Sequence, residues 1–129
     1  MSRSRSGETT DVLRWGVAST GRISNSMAEA LATVGGSEIV AVGSRTQEAA
    51  DHFAQTHSIR RAHGSYGDLW VDPEVDIVYI GSPHSEHRWM TVAALDAGKH
   101  VLCEKAFAIN AGEAREMIEA ARRNARVLM

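Results

Sequence analysis

The sequence predicts an α/β fold built on a doubly wound parallel sheet, and two observations lead to this prediction. Short apolar runs of the strand type alternate with amphipathic helical patterns along the chain. The first of these runs passes directly into a glycine turn and a helix, as at the start of a βαβ unit. Strands joined by helical crossovers align in parallel, and helices cover both faces of their sheet. We therefore expect a single domain over residues 11–129, after a disordered tail over residues 1–10.

The predicted strands are short and apolar. Their spans are Val12 to Ala18, Glu38 to Gly43, Val75 to Ile80, His100 to Glu104 and Val127 to Met129. Four predicted helices separate them. The first follows a glycine turn and carries apolar residues at helical spacing, namely Ile23, Met27, Ala30, Leu31 and Val34.

The ends of the helices are marked by residues that favour helix termini. The first helix stops at Gly35-Gly36, and the second spans Thr46 to His57. The third opens near Ser82-Pro83 and ends at Gly98, because proline suits a first turn and glycine suits a C-terminal cap. The fourth has Asn110 as its predicted N-cap, with a glutamate three residues later.

The turn after the first strand has the pattern of a phosphate-binding loop. Read against G-x-G-x-x-G, the segment Ser19-Thr20-Gly21-Arg22-Ile23-Ser24 keeps the second glycine and has serine at the first and third glycine positions. A glycine at a helix N-terminus lets the backbone approach a pyrophosphate, and the free N–H groups of the first turn favour an anion. The candidate phosphate-binding residues are Ser19, Thr20, Gly21, Arg22 and Ile23.

Three segments together resemble the Gfo/Idh/MocA oxidoreductase family, and within it the dihydrodiol dehydrogenase branch. They are Gly16 to Ser24, Gly81-Ser82-Pro83-His84-Ser85-Glu86-His87 and Ala97 to Lys105. The resemblance implies an N-terminal Rossmann domain that binds NAD(P), with strand order 3-2-1-4-5-6. It also implies a C-terminal α/β domain that holds the substrate, and we expect this chain to stop before that domain.

The residues after the second strand favour NADP over NAD as the cofactor. NAD-specific Rossmann sites place an acidic residue there for the ribose 2′-OH, and a 2′-phosphate would be repelled by it. This chain has Ser44-Arg45-Thr46 instead. Arg45 can pair with a 2′-phosphate and lie against the adenine face, and Ser44 and Thr46 offer hydroxyls to the phosphate. The alternative is a solvated arginine at a strand end, with Thr46 only capping the next helix.

Lys105 is the candidate catalytic residue. The resemblance places Glu104-Lys105 at the family's Glu-Lys-Pro motif, near the nicotinamide and the substrate hydroxyl. A lysine beside the cationic oxidised ring would have a lowered pKa and could relay the substrate proton. Ala106 replaces the family's proline, which removes a restraint on the lysine's backbone. The alternative is an ordinary loop lysine paired with Glu104.

The resemblance also implies a cofactor-binding role for the segment that opens the third helix. It implies that Ser82, Pro83 and His84 line the nicotinamide-ribose side of the cofactor, with His87 close by. A metal site at the two histidines is not expected, since no further ligands are evident and hydride transfer to a nicotinamide needs none. Cys103 on an apolar strand is interpreted as a packed residue rather than a nucleophile.

Composition limits the class of protein. A net charge of −2 argues against a general nucleic-acid or membrane surface, and no apolar run approaches the roughly 20 residues that cross a bilayer. A single cysteine fits a reducing cytoplasm. The Arg- and Ser-rich residues 1–10 are interpreted as a tail, with a transit peptide as the alternative.

The sequence therefore predicts the nucleotide-binding domain of an NADP-dependent oxidoreductase. By resemblance, the expected reaction moves hydride between the nicotinamide and a hydroxyl or carbonyl carbon of a sugar, cyclitol or dihydrodiol. The expected partners are the dinucleotide, a small polyol or diol, and further copies of the chain. One alternative is a non-catalytic dinucleotide-binding module. A Rossmann-like methyltransferase is a weaker alternative, because it leaves Ser44-Arg45 and Glu104-Lys105 unexplained.

Overall fold

The structure of the protein, a computed structural model, describes residues 12–104 and 110–129, the side chain of His84 excepted. These residues form one parallel sheet with helices on both faces. The strands are β1 (Leu13–Ala18), β2 (Ser37–Gly43), β3 (Arg61–His63), β4 (Ile77–Ile80) and β5 (His100–Cys103). The helices are α1 (Arg22–Leu31), α2 (Gln47–His57), α3 (Tyr66–Trp70), α4 (His87–Asp96) and α5 (Ala111–Asn124), and a 3₁₀ turn (His84–Glu86) precedes α4.

The strand order is β3-β2-β1-β4-β5, so the chain reverses its direction across the sheet between β1 and β4. This confirms the doubly wound parallel fold. The predicted sixth strand does not form within the described residues. Instead, Leu128 makes one isolated parallel bridge with Val101, supported by a 2.9 Å hydrogen bond from the Met129 N–H to the Val101 carbonyl. The segment therefore lies beside β5, where the sixth strand of the predicted order would be.

The two faces of the sheet bury separate cores, because alternate residues of each strand point in opposite directions. On β4, Tyr79 packs with Phe53 of α2 on one face. Its neighbour Ile80 packs with Met90 of α4 and Met117 of α5 on the other. All five side chains are at most 2 % exposed. The helices are thereby fixed on the sheet, and the strand ends that carry the candidate site lie on a rigid frame.

Several local predictions were wrong. α1 ends at Leu31 rather than at Gly35-Gly36, and α4 begins at His87, after the 3₁₀ turn, rather than near Ser82-Pro83. The buried face of α1 consists of Ser24, Ala28 and Leu31, whereas Ile23 is 44 % exposed. The helix approaches the sheet closely at its first turn, where a Cβ added at Gly81 would lie 2.7 Å from the Ser24 Oγ. A small polar residue, Ser24, therefore faces the sheet, whereas Ile23, one of the apolar residues at helical spacing, is exposed.

A further error is the omission of β3 and α3 from the predicted elements. β3 is only three residues long and pairs with one edge of β2, and α3 is a five-residue helix. Segments this short carry too few residues to show a helical or strand period. They still matter for the site, because α3 brings Tyr66 to the carboxyl end of β2.

Candidate dinucleotide-binding site

A cavity of about 220 Å³ opens at the carboxyl ends of β1, β2 and β4. It is lined by Ser19, Thr20, Gly21, Ser44, Arg45, Tyr66, Gly81, Ser82 and Pro83. In open α/β sheets, ligands bind in the crevice outside the strand ends where the strand order reverses, which here lies between β1 and β4. The structure thus brings three separately predicted segments to the position that this fold uses for ligands.

Ser19 and Ser24 stand at glycine positions of the phosphate loop, and the surrounding structure accommodates both side chains. Ser19 has φ +98°, a left-handed conformation that favours glycine, and its Oγ lies 2.9 Å from the Oγ of Ser24 in a buried hydrogen bond. Ser24 is fully buried against Gly81, where there is no room for a Cβ. Gly81, directly after β4, therefore leaves space for the Ser24 side chain. In the G-x-G-x-x-G motif this space comes from a glycine at the position of Ser24 itself.

The N-terminus of α1 has backbone N–H groups that no side chain caps. Its N-cap residue is Gly21, and its first turn contains no acidic residue. Side-chain oxygens cap α2, α3 and α5, those of Thr46, Ser65 and Asn110. The N-terminus of α4 also has no side-chain cap, but its N-cap residue is the acidic Glu86, which does not suit an anion. The Asn110 cap, with its 2.9 Å bond from the Glu113 N–H, confirms the predicted start of α5. A Cβ added at Gly21 would meet no atom within 4 Å, so open space lies in front of the uncapped N–H groups of α1.

The three residues after β2 have different environments. Ser44 is buried, and its Oγ lies 3.4 Å from the Oγ1 of Thr20. Arg45 is exposed and lines the cavity. Thr46 accepts a 3.1 Å hydrogen bond from the Ala49 N–H, so its hydroxyl is engaged as a helix cap. Of the three, Arg45 carries the charged group that lines the cavity, where its guanidinium also interacts with the Tyr66 hydroxyl.

The segment after β4 presents one unsatisfied hydroxyl. The Ser82 Oγ is buried and has no hydrogen-bond partner among the described residues. His87 is fully buried, and its Nε2 lies 2.8 Å from the Ser82 carbonyl oxygen. Pro83 is exposed at the cavity wall, and His84 lies in the 3₁₀ turn. His87 therefore holds the backbone of the loop from beneath, while Ser82 and Pro83 form its cavity surface.

Glu104 follows β5 and is held from two sides. Its N–H donates to the Ile80 carbonyl at 3.0 Å, and its Oε1 accepts a 2.5 Å hydrogen bond from the Tyr79 hydroxyl. Burial, together with this carboxylate, raises the pKa of Tyr79 well above its ordinary value, so the phenol stays a donor. The candidate catalytic residue Lys105 and its neighbour Ala106 lie outside the described residues.

The first turn of α1 also contains Arg22 and Ile23, and both are exposed. Sequence reasoning missed Tyr66, Tyr79 and Gly81 as contributors to the site. Tyr66 stands in the unpredicted helix α3, and Tyr79 appears in the sequence as one more apolar strand residue. The signal that could have identified Gly81 is its place directly after a buried strand, within a segment already singled out.

Comparisons with known proteins agree with this arrangement. Residues 13–129 match the model of the Gfo/Idh/MocA family, described as an oxidoreductase family with an NAD-binding Rossmann fold. The chain belongs to this family. The human trans-1,2-dihydrobenzene-1,2-diol dehydrogenase is 46 % identical over 119 residues, which cover 91 % of this chain and 36 % of that protein. The predicted resemblance, including the dihydrodiol dehydrogenase branch, is confirmed.

Solved structures show the same domain. An NAD-binding oxidoreductase from Klebsiella pneumoniae superposes with a TM-score of 0.88 at 33 % identity, over 92 % of this chain and 34 % of that one. A 3-ketoreductase from Actinomadura kijaniata in complex with NADP has a TM-score of 0.88 at 29 % identity, over 92 % of this chain and 38 % of that one. The chain thus spans about a third of the length of the proteins it matches.

Two further findings concern the described residues alone. Within residues 12–104 and 110–129, no helix is long and apolar enough to cross a membrane. The same residues contain no group of three or more His, Cys, Asp or Glu side chains that could hold a metal ion.

Proposed function

We propose that this domain binds NADP(H) for an oxidoreductase that moves hydride between the nicotinamide and a hydroxyl or carbonyl carbon. The supporting observation is the uncapped N-terminus of α1, which faces open space at Gly21 and lies at the crevice between β1 and β4. A pyrophosphate would accept hydrogen bonds from these N–H groups. The residues present therefore fit a dinucleotide.

Arg45 supports NADP as the preferred cofactor. Its guanidinium lines the cavity next to Ser44, and the segment 39–47 contains no acidic residue that would repel a 2′-phosphate. A charge-assisted, bidentate contact of this kind suits a phosphate and is not available to a ribose hydroxyl. The 3-ketoreductase from Actinomadura kijaniata is in complex with NADP, whereas the oxidoreductase from Klebsiella pneumoniae is called NAD-binding. The proposed preference for NADP therefore rests on Arg45 of this chain.

The nicotinamide end would lie toward β5, on the opposite side of the phosphate turn from Arg45. The strand order places β2 and β5 on either side of the β1–β4 pair, so Arg45 and Glu104 are separated in this way. When bound, the nicotinamide accepts or donates the hydride. Glu104, held by Tyr79, would accept a hydrogen bond from the ligand. Lys105 would take the proton that the substrate hydroxyl loses as its carbon gives up hydride.

The substrate class, the compartment and the assembly state are also part of the proposal. Sugars, cyclitols and dihydrodiols are the expected substrates, supported by relatives named as a diol dehydrogenase and a 3-ketoreductase. A cytoplasmic location is supported by one buried thiol, Cys103. Self-association is supported by the exposed apolar side chains of Val127 and Met129 beside the sheet edge at β5.

The cofactor proposal is tested by calorimetric titration of NADPH and NADH into the protein and into Arg45→Ala. Removing a charge-assisted contact of about 1.5–3 kcal/mol should weaken NADPH binding roughly 10- to 100-fold and leave NADH binding unchanged. Arg122→Ala is the matched control, because Arg122 is a 72 % exposed arginine of α5 and should change neither affinity. Equal affinities of the unmodified protein for the two cofactors would overturn the NADP preference.

The catalytic assignment needs a separate measurement in a longer chain that contains a substrate domain. Lys105→Met should lower turnover by roughly 10²–10⁴-fold while changing NADPH affinity much less. Turnover within a fewfold of normal would show that Lys105 is not the proton relay.

A further inference from the structure

The side chain of Tyr79 reaches from the middle of the sheet to the carboxylate of Glu104. Tyr79 pairs with Leu102 across the β4–β5 ladder, and Glu104 stands two residues after Leu102, so Tyr79 and Glu104 point to the same face of the sheet. Two residues of a strand span about 6.6 Å, so the phenol must lean along the strand to meet the carboxylate. The Tyr79 hydroxyl donates to the Glu104 Oε1 at 2.5 Å. This contact connects the core of the domain with the strand ends that carry the candidate site.

Gly81 provides the space for this reach. It stands two residues after Tyr79, on the same face of the sheet, and a Cβ at Gly81 would lie 2.8 Å from the Tyr79 Cε2. The tyrosine ring thus occupies the space that a side chain at residue 81 would fill. The ring is fully buried and packs in the same core as Ala28 and Phe53. The phenol therefore cannot leave Glu104 without opening this core.

The Glu104 carboxylate is held by one of its two oxygens. Oε1 accepts the hydrogen bond from the phenol, whereas Oε2 accepts none from the residues that the structure describes. The backbone is also fixed, because the Glu104 N–H donates to the Ile80 carbonyl at 3.0 Å. The residue is only partly buried. A carboxylate anchored in this way presents its second oxygen in a defined direction to a donor in the crevice.

We propose that Tyr79 is a positioning residue, which orients the Glu104 carboxylate toward the nicotinamide half of the bound dinucleotide. The inference rests on the proposed function, which places the nicotinamide toward β5. A glutamate side chain that rotates freely loses entropy when a ligand orders it, and the hydrogen bond from Tyr79 removes part of that loss before the ligand binds. The competing interpretation is that Glu104 only satisfies a buried phenol and has no effect on a ligand.

The experiment measures by calorimetry how Tyr79→Phe changes the binding of two ligands. NADPH has the nicotinamide half, whereas adenosine 2′,5′-bisphosphate lacks it. Tyr79→Phe keeps the ring and removes the hydroxyl, so NADPH should bind roughly 3- to 30-fold more weakly, while the bisphosphate should bind equally well. Thr91→Val is the matched control, because it removes a fully buried hydroxyl from α4 and should change neither affinity.

A double-mutant cycle shows whether Tyr79 acts through Glu104. Glu104→Ala removes the carboxylate that the phenol holds, and it should weaken the binding of NADPH and leave that of the bisphosphate unchanged. In the Glu104→Ala background, Tyr79→Phe should cause less than about a twofold further loss of NADPH affinity. The same loss from Tyr79→Phe in both backgrounds would show that the phenol does not act through the carboxylate, and it would overturn the inference.

The outcomes distinguish this inference from the proposed function. If the unmodified protein binds neither ligand, the proposed function fails and the inference fails with it. If it binds both, and Tyr79→Phe or Glu104→Ala binds NADPH as tightly as the parent, the positioning role is overturned and the NADP proposal stands. An equal loss of both ligands in a Tyr79→Phe protein that urea unfolding shows to be folded would assign the phenol a structural role alone and would also overturn the inference.

Discussion

Gly81 provides the space into which the first turn of α1 packs, and replacing it tests that packing. A Cβ at this position would lie 2.7 Å from the Ser24 Oγ and 2.8 Å from the Tyr79 Cε2, and both residues are fully buried. Gly81 has no positive φ, so the cost of Gly81→Ala is steric. Overpacking of this kind costs about 1–3 kcal/mol, which at an m value of about 2 kcal/mol/M lowers the urea midpoint by roughly 0.5–1.5 M.

A double-mutant cycle with Ser24→Gly locates the cause. The single change Ser24→Gly removes the buried hydrogen bond to Ser19 and should itself be destabilising. In the double variant the 2.7 Å contact with Ser24 is gone and the 2.8 Å contact with Tyr79 remains. The double variant should therefore lose about 0.5–3 kcal/mol less stability than the sum of the two single losses. Gly35→Ala is the control, since its Cβ would meet no atom within 4 Å. Strict additivity would show that the contact with Ser24 does not carry the cost, and a Gly81→Ala protein as stable as the parent would refute the packing argument.

Three further predictions follow from single residues. Ser19→Gly should be more stable than Ser19→Ala by about 1 kcal/mol. Both variants lose the hydrogen bond to Ser24, but only glycine adopts the φ of +98° without strain. Equal urea midpoints of the two variants would contradict this. The Nδ1 of His100 accepts a 2.9 Å hydrogen bond from the Val127 N–H, and burial lowers the pKa of this histidine. Because a protonated Nδ1 cannot accept, the contact should hold above pH 6.5 and be lost as the pH falls through the lowered pKa. A Val127 amide NMR signal unchanged down to pH 4 would count against it. Burial raises the pKa of Cys103, so iodoacetamide should modify the native thiol far more slowly than the urea-unfolded one, and similar rates would show that the thiol is accessible.

The sequence was sufficient for the parts of the fold that have long, regular patterns. Alternating strands and helices predicted the parallel sheet, and glycine and asparagine predicted helix ends that the structure confirms, such as the positive φ of Gly98 and the cap at Asn110. The buried face of α1 was not predictable from apolar periodicity, because close packing on Gly81 selects Ser24 over Ile23.

The candidate site was predictable where chemistry lies in contiguous motifs and not where it depends on tertiary contacts. The segments around Gly21, Arg45 and Ser82 were identified from the sequence, and the structure brings them to one cavity. The contribution of Tyr66 depends on a helix too short to predict, and the hydrogen bond from Tyr79 to the carboxylate after β5 joins residues 25 positions apart. Such contacts leave no local pattern in a single sequence.

A dinucleotide bound at the N-terminus of α1 would lie against Gly21, and Gly21→Val tests this binding site. Gly21 has φ −81° and open space around its Cα, so valine should be tolerated, with a change in the free energy of unfolding of about 1 kcal/mol or less. The added methyl groups would fill the space needed by the pyrophosphate. Calorimetry should show NADPH binding to the parent protein and none to the folded variant, and equal binding by both would contradict the account.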